Sequence, residues 1–145
     1  MRTITQADLA VRLRLAIART ARRLRQEAGG ELSPSQTTAL ATIDRHGPLT
    51  PSELAVRERI QRPTVTRIVA RLEEGGLVQR TRDPQDGRSS LVALTPAGRE
   101  LLARGRTRKD AYLAHRLREL DAEERATLQR AAAILERLLE EEGRR

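Results

Sequence analysis

The stretch QRPTVTRIVARLEEGGLVQRTRDPQDGRSSLVALT, residues 61–95, decides the fold. Its first part spaces four aliphatic side chains at i, i+3, i+4 and i+7, as in a helix with one buried face. These side chains are Val65, Ile68, Val69 and Leu72. Two strand-like runs, LVQRTR and RSSLVAL, then flank the turn sequence DPQDG. The stretch therefore predicts an amphipathic helix followed directly by a β-hairpin.

Capping patterns mark the helices around this stretch. SPSQ at 33–36, TPSE at 50–53 and DAEE at 121–124 each place Ser, Thr or Asp at an N-cap and Gln or Glu three residues later. Each pattern predicts a reciprocal capping box. With glycines as stop signals, we predict six helices, over residues 6–28, 34–46, 51–58, 62–74, 96–118 and 122–142, and a hairpin at 77–94.

The third and fourth predicted helices are separated by only a few residues. Two short helices joined in this way form a helix-turn-helix, and its second helix enters the DNA major groove. A hairpin directly after that helix is a wing. The predicted fold class is mostly α with a small β-hairpin wing, a winged helix-turn-helix.

The outer face of the fourth helix combines short side chains with arginines on long stems. Pro63, Thr66 and Arg67 lie opposite the apolar face, and Thr64 and Arg71 lie on one flank. Short side chains allow close approach to base edges, which Arg and Thr can read. We therefore predict DNA contact along this face. The alternative is an ordinary amphipathic helix with a solvated arginine face.

The hairpin carries arginines around its tip, namely Arg80, Arg82 and Arg88. An arginine at a wing tip can enter the narrow, electronegative minor groove. Asp83, Asp86 and Gly87 are expected to shape the turn, with the carboxylates accepting hydrogen bonds from turn amides or pairing with neighbouring arginines. In the alternative, Arg88 only forms an ion pair with one of these aspartates.

Composition narrows the function classes. The 145 residues carry a formal charge of +8, which favours a polyanionic partner. The chain has no cysteine and one aromatic residue, which excludes thiol chemistry and argues against readers that stack bases on aromatic rings. His46 and His115 lie far apart, so we expect no metal site, and no catalytic motif predicts an enzyme. We expect no cofactor, no membrane span and a soluble, cytoplasmic protein.

The first and last helices carry wide apolar faces. Leu9, Leu13 and Ile17 form one stripe on the first helix, and the last helix runs apolar from Leu128 to Leu139. Such faces need covering, and a second copy in a C2 dimer is the simplest cover. In the alternative, the two helices pack on each other.

The motifs TPSELA, RPTVTRIVARLEEGGLVQR and DPQDGRSSLVALTPAG, in this order, resemble the multiple-antibiotic-resistance repressor (MarR) family of bacterial regulators. The resemblance implies that Thr64, Thr66 and Arg67 face the major groove and that Arg62 and Pro63 open that helix. Asp83, Asp86 and Arg88 match the Asp-x-x-Asp-x-Arg wing signature of the family, which makes Arg88 the wing-tip arginine. Gln61 stands where many members carry Ser, and Gln85 where many carry a basic residue.

The resemblance also implies a function and an assembly. Residues 1–145 would form one domain, with a DNA-binding core at 33–95 and dimerisation helices at 1–30 and 96–145. The homodimer would bind a pseudo-palindromic operator in double-stranded DNA, associate with the nucleoid when bound, and act as a repressor. A small lipophilic or phenolic effector would bind in a cleft between the dimer helices and the winged domain, and the protein would then release the DNA. No effector-binding residue is identified.

Two further basic segments are open to more than one interpretation. Arg12, Arg19 and Arg22 could reach an anionic ligand near that cleft, or be solvated or paired. The run RGRTRK at 104–109 could touch phosphates or form a solvated helix face. The alternative function for the whole chain is a basic helical module that coats DNA or docks on a protein without reading sequence.

Overall fold

The computed structural model describes residues 3–30 and 32–143, which form six helices and one antiparallel pair of strands. The helices are α1 (Gln6–Ala28), α2 (Pro34–His46), α3 (Pro51–Glu58), α4 (Arg62–Glu74), α5 (Pro96–Arg118) and α6 (Ala122–Gly143). The strands are β1 (Val78–Arg82) and β2 (Ser90–Leu94). This order confirms the predicted fold class, mostly α with a β-hairpin wing. Residues 1–109 and 110–145 form two compact units.

Two of the predicted capping boxes are complete. At α2 the Ser33 hydroxyl oxygen accepts from the Gln36 N–H at 3.2 Å, and the Ser33 N–H donates to the Gln36 side chain at 3.0 Å. At α6 Asp121 and Glu124 make the same reciprocal pair. These bonds satisfy backbone donors that the helix itself leaves open, which is why the helix starts were predictable.

Two more helix starts, those of α3 and α1, differ from expectation. The Thr50 hydroxyl oxygen accepts from the Glu53 N–H at 3.1 Å, but the described residues show no return bond from the Thr50 N–H to the Glu53 carboxylate. The box expected there is therefore only half formed. At α1, Thr5 and Asp8 form a reciprocal box that sequence analysis missed, because Asp replaces the usual Glu or Gln.

The core of the first unit is aliphatic and lies between α2, α3, α4 and the hairpin. All four apolar side chains predicted for the buried face of α4 are buried. They pack with Leu40 of α2, Leu54 of α3 and Val92 of β2, which are also fully buried. Removing this apolar surface from water is the main stabilising term, and it fixes which face of α4 points outward.

The hairpin joins the core through its base. Val78 pairs with Leu94 at the base and Arg82 with Ser90 at the outer end. Leu49, just before α3, bridges to Val92 and adds a short third partner to the sheet. The wing therefore extends from a closed apolar base to an exposed polar tip.

The two terminal helices bury none of their residues within the described chain. On α1 the exposed apolar side chains include Leu9, Leu13 and Ile17, and on α6 Leu128 and Leu138. Leu139 is the most open of those on α6, with 70% of its surface exposed. Among the described helices none is both long and apolar enough to cross a bilayer.

Candidate nucleic-acid interface

The turn between α3 and α4 occupies residues 59–61. The amide N–H of Ile60 donates to the carbonyl of Ala55 at 3.1 Å, so the chain folds back over the end of α3. Gln61 is the N-cap of α4, and its side chain makes no capping hydrogen bond. Gln61 therefore caps α4 poorly, and Pro63 follows in the first turn, where a missing N–H costs little.

The outer face of α4 is open to solvent where sequence analysis placed it. Pro63, Thr66 and Arg67 are exposed, and Thr64 is half-buried on the flank. The Thr66 hydroxyl donates to the carbonyl of Arg62 at 3.1 Å. Its proton is thus engaged within the helix, so Thr66 offers its methyl group and the lone pairs of its oxygen to a partner.

Arg62 and Arg71 lie at opposite ends of the same helix. The Arg62 guanidinium donates to the Ser52 hydroxyl, which ties the first turn of α4 to α3. Arg71 is exposed in the last turn of α4. The structure therefore holds α4 at both its buried face and its first turn, and leaves its outer side chains accessible.

The wing tip is shaped by its two aspartates. One Asp83 carboxylate oxygen accepts from the Gln85 N–H at 2.9 Å, and one Asp86 oxygen accepts from the Arg88 N–H at 3.0 Å. The Asp83 N–H donates to the Ser89 carbonyl at 3.0 Å, which closes the loop. Both carboxylates are therefore occupied with turn amides, as in Asx turns.

The three wing arginines have different surroundings. The Arg80 Nε lies 3.3 Å from a Glu73 carboxylate oxygen, so this side chain links β1 to the last turn of α4. Arg82 and Arg88 are exposed, and within residues 3–30 and 32–143 neither takes part in an ion pair. Gly87 has no positive φ, and a β carbon there would lie 3.8 Å from Arg82 Cδ, an ordinary contact.

A separate cleft lies between the end of α1, the start of α2 and the middle of α5. Its volume is about 450 Å³, and its apolar lining includes Leu32, Leu101 and Leu102. Six cationic side chains also line it: Arg22, Arg25, Arg104, Arg106, Arg108 and Lys109. None of the described residues that line it is acidic.

The cleft is lined in part by a segment whose role sequence analysis left open. Four cations of the run at 104–109 lie at the cleft. Arg106 pairs with Asp44 at 3.1 Å, and the Arg108 guanidinium donates to the Ala28 carbonyl at 3.0 Å. From α1 Arg22 reaches the cleft, whereas Arg12 and Arg19 are not part of its described lining. No sequence motif signals this arrangement, because it joins segments about 80 residues apart.

Comparison with known proteins agrees with this geometry. The MarR family model matches residues 32–90. An HTH-type transcriptional regulator of Mycobacterium tuberculosis is 39% identical over 138 residues, covering 94% of this chain and 96% of that protein. A MarR family protein from Bacillus stearothermophilus has a solved structure with a TM-score of 0.80, 27% identity and coverage of 96% of this chain and 98% of that one. Wild-type MarR from E. coli gives a TM-score of 0.73 at 25% identity, with coverage of 92% and 98%. The chain belongs to the MarR family of DNA-binding, winged helix-turn-helix transcriptional regulators.

Proposed function

We propose that this regulator is a homodimeric repressor that reads a pseudo-palindromic operator and leaves it when a small ligand binds. One observation carries the proposal: the exposed Thr66 and Arg67 of α4 stand on a helix that is directly followed by an arginine-bearing wing. Such a pair of elements fits adjacent grooves of one duplex, the helix in the major groove and the wing in the minor groove.

On α4 the side chains divide into base-reading and backbone-contacting groups. Arg67 is suited to guanine, whose O6 and N7 accept a bidentate guanidinium, and the Thr66 methyl group is suited to the methyl of thymine. Four other side chains lie toward the ends of the helix, and so toward the edges of the groove. These are Arg62, Pro63 and Thr64 in the first turn and Arg71 in the last. We assign these residues to phosphate and sugar contacts, which set register without reading sequence.

On the wing we assign the minor-groove contact to Arg88, supported by Arg82. Their guanidinium groups are exposed, while the nearby carboxylates of Asp83 and Asp86 accept bonds from the turn. Arg80 reaches DNA only by leaving Glu73. An exposed ion pair is weak, so a phosphate group can compete for Arg80.

The assembly follows from the exposed apolar side chains of α1 and α6. A C2 dimer would cover them and would present two copies of α4 to half-sites about one helical turn apart. Residues 33–95 are then the DNA-binding core, and residues 1–30 and 96–145 supply the dimer helices. Repression is supported by MdtR of Bacillus subtilis, an HTH-type transcriptional repressor that is 36% identical over 67 residues, or 46% of this chain.

The cleft of the first unit is the proposed effector site. Its apolar walls suit a lipophilic or phenolic body. Arg104 and Arg106 pair with Glu100 and Asp44, and the other four cations of the lining favour a ligand that also carries negative charge. Benzoate and its uncharged analogue benzamide form a matched pair of probes. We expect benzoate to release DNA at lower concentration than benzamide, and equal potency would remove the electrostatic part of the assignment.

The sequence-reading function is tested by selecting binding sites from a randomised duplex library. A reader yields one pseudo-palindrome, preferred over random duplex by a factor on the order of 10³ or more. A coating protein, the alternative interpretation of the basic charge, shows little preference. Salt dependence alone does not separate the two, because both release counterions on binding.

A further inference from the structure

Arg59, the residue directly after α3, has a left-handed backbone. Its φ is 55° and its ψ is 43°, and it is the one non-glycine residue with positive φ in the described part of the chain. Its N–H donates to the carbonyls of Ala55 and Val56, and the next amide, of Ile60, bonds back to Ala55. This is the hydrogen-bond pattern of a Schellman turn, which requires the left-handed conformation whatever the side chain.

Arginine is an unfavourable residue for this position. A β carbon in the left-handed region contacts the backbone, so glycine, and to a lesser degree asparagine, are the residues that adopt it readily. The turn itself makes no use of the Arg59 side chain, which is exposed and has no hydrogen bond or ion pair within residues 3–30 and 32–143. A strained residue whose side chain serves no structural contact points to a function.

The position of Arg59 indicates which function. On α3, Ser52 and Val56 are four residues apart and share one stripe, and Arg59 follows in the turn that leads to α4. The Arg62 guanidinium at the start of α4 binds the Ser52 hydroxyl. The stripe therefore lies beside the first turn of the recognition helix. Val56 is also left open by the described residues, with 78% of its surface exposed. In helix-turn-helix proteins this is the side on which the first helix crosses the DNA backbone.

Local electrostatics favour an anionic contact at this stripe. The carboxylate closest in sequence, Glu58, accepts a hydrogen bond from the Thr42 hydroxyl on α2 and is half-buried. Its charge is therefore turned toward α2. Arg57 and Arg62 are both exposed on either side of Arg59. The turn thus presents cationic side chains beside the groove-facing end of α4.

We propose that Arg59 is a phosphate anchor, a DNA contact that lies outside both the recognition helix and the wing. It binds a phosphate group at the edge of the major groove that α4 enters, and its left-handed backbone directs the guanidinium there. The inference rests on the proposed function for the location of the duplex. Because a phosphate carries no base information, Arg59 contributes affinity and register but no sequence preference.

Arg59→Gly separates this role from a structural one. Glycine accepts the left-handed backbone, so the variant should unfold at the same temperature as the wild type or above it. Its affinity for DNA should fall about tenfold, because a charge-assisted contact is lost. The slope of log K against log salt concentration should shrink by about 0.9 for every phosphate contact removed. The probes are a 30-base-pair duplex of mixed sequence and the duplex that the wild type selects from a randomised library.

Three matched variants complete the test. Arg59→Asn tolerates the same backbone and should behave like Arg59→Gly, whereas Arg59→Lys keeps a point charge and should recover most of the affinity. Arg137→Ala, on the polar face of α6, makes the same change in net charge and should leave the salt slope as in the wild type. If Arg59→Gly unfolds more readily than the wild type, the salt slope of Arg59→Asn decides.

If Arg59→Gly and Arg59→Asn bind both duplexes with the affinity and salt slope of the wild type, the proposal is wrong. A wild type that selects no sequence is a different failure, because it removes the sequence-reading function. The mixed-sequence duplex still tests the anchor in that case, since phosphate contacts are made without sequence recognition.

Discussion

Gly98, in the first turn of α5, packs so closely on Leu77 that a β carbon at Gly98 would overlap the Leu77 carbonyl oxygen. The same carbonyl accepts from the Thr95 N–H at 3.0 Å. The Thr95 hydroxyl donates to the Gly76 carbonyl at 2.6 Å and accepts from the Gly98 N–H at 3.1 Å. The Thr-x-x-Gly at the end of the wing is therefore the joint that closes the hairpin base against α5.

Gly98→Ala should destabilise the fold by about 1–3 kcal/mol, because the added methyl group meets backbone rather than a movable side chain. Urea denaturation measures the change. Gly105→Ala in the same helix is the control. Its β carbon would lie 3.7 Å from Ala28 Cβ, an ordinary contact, so it should stabilise α5 by about 0.5–1 kcal/mol. Changes of the same sign in both variants would contradict the assignment.

Arg67→Ala should cost about 1–3 kcal/mol of operator binding and relax the choice of base at one position of each half-site. The reason is that a bidentate contact to guanine distinguishes one base from the others. Arg71→Ala, at the flank, should instead weaken binding uniformly across sequences. Site selection with both variants makes the comparison, and an unaltered sequence preference for Arg67→Ala would count against the base-reading role.

Thr66→Val should retain the operator preference, whereas Thr66→Ser should lose about 1 kcal/mol of it. The hydroxyl proton of Thr66 already binds the Arg62 carbonyl, so the methyl group is what a base can contact. Val keeps that methyl group and, as a β-branched residue, is also restricted at χ1 in a helix. Competition between the selected duplex and a single-base variant measures the difference. The reverse ranking would show that the hydroxyl group reads the base.

Arg88→Ala should weaken operator binding by about 1.5–3 kcal/mol at fixed salt, as expected for the loss of a charge-assisted contact. The wing should keep its shape, because the turn uses the backbone N–H of Arg88 and not its side chain. Affinity measured by titration at one salt concentration is the readout, with Arg137→Ala as the charge control. An unchanged affinity would mean that the wing tip does not meet DNA.

Leu139→Glu should shift the protein from dimer to monomer, because it places a charge in an apolar face that the proposed dimer buries. Gln129→Glu makes the same charge change on the polar side of α6 and should leave the assembly intact. Sedimentation velocity at several concentrations compares the two. If the wild type itself sediments as a monomer, the proposed dimer is wrong.

Local signals account for what sequence analysis predicted well. The reciprocal bonds of Ser33 with Gln36 span three residues, so they appear directly in the chain as a pattern. The buried face of α4 follows from the helical period alone, and with it the exposure of Thr66 and Arg67. The partial box at Thr50 shows the limit, since the return bond from the Thr50 N–H to the Glu53 carboxylate depends on more than spacing.

The sequence by itself determined the helices, the hairpin and the outer face of α4, because hydrogen bonds and apolar periodicity act over a few residues. Only the tertiary structure decided that Glu73 holds Arg80, that Thr42 of α2 binds the Glu58 carboxylate, and that the 104–109 run lines a cleft. These contacts join residues on different elements. They depend on how the elements pack, and no local pattern in the chain encodes that packing.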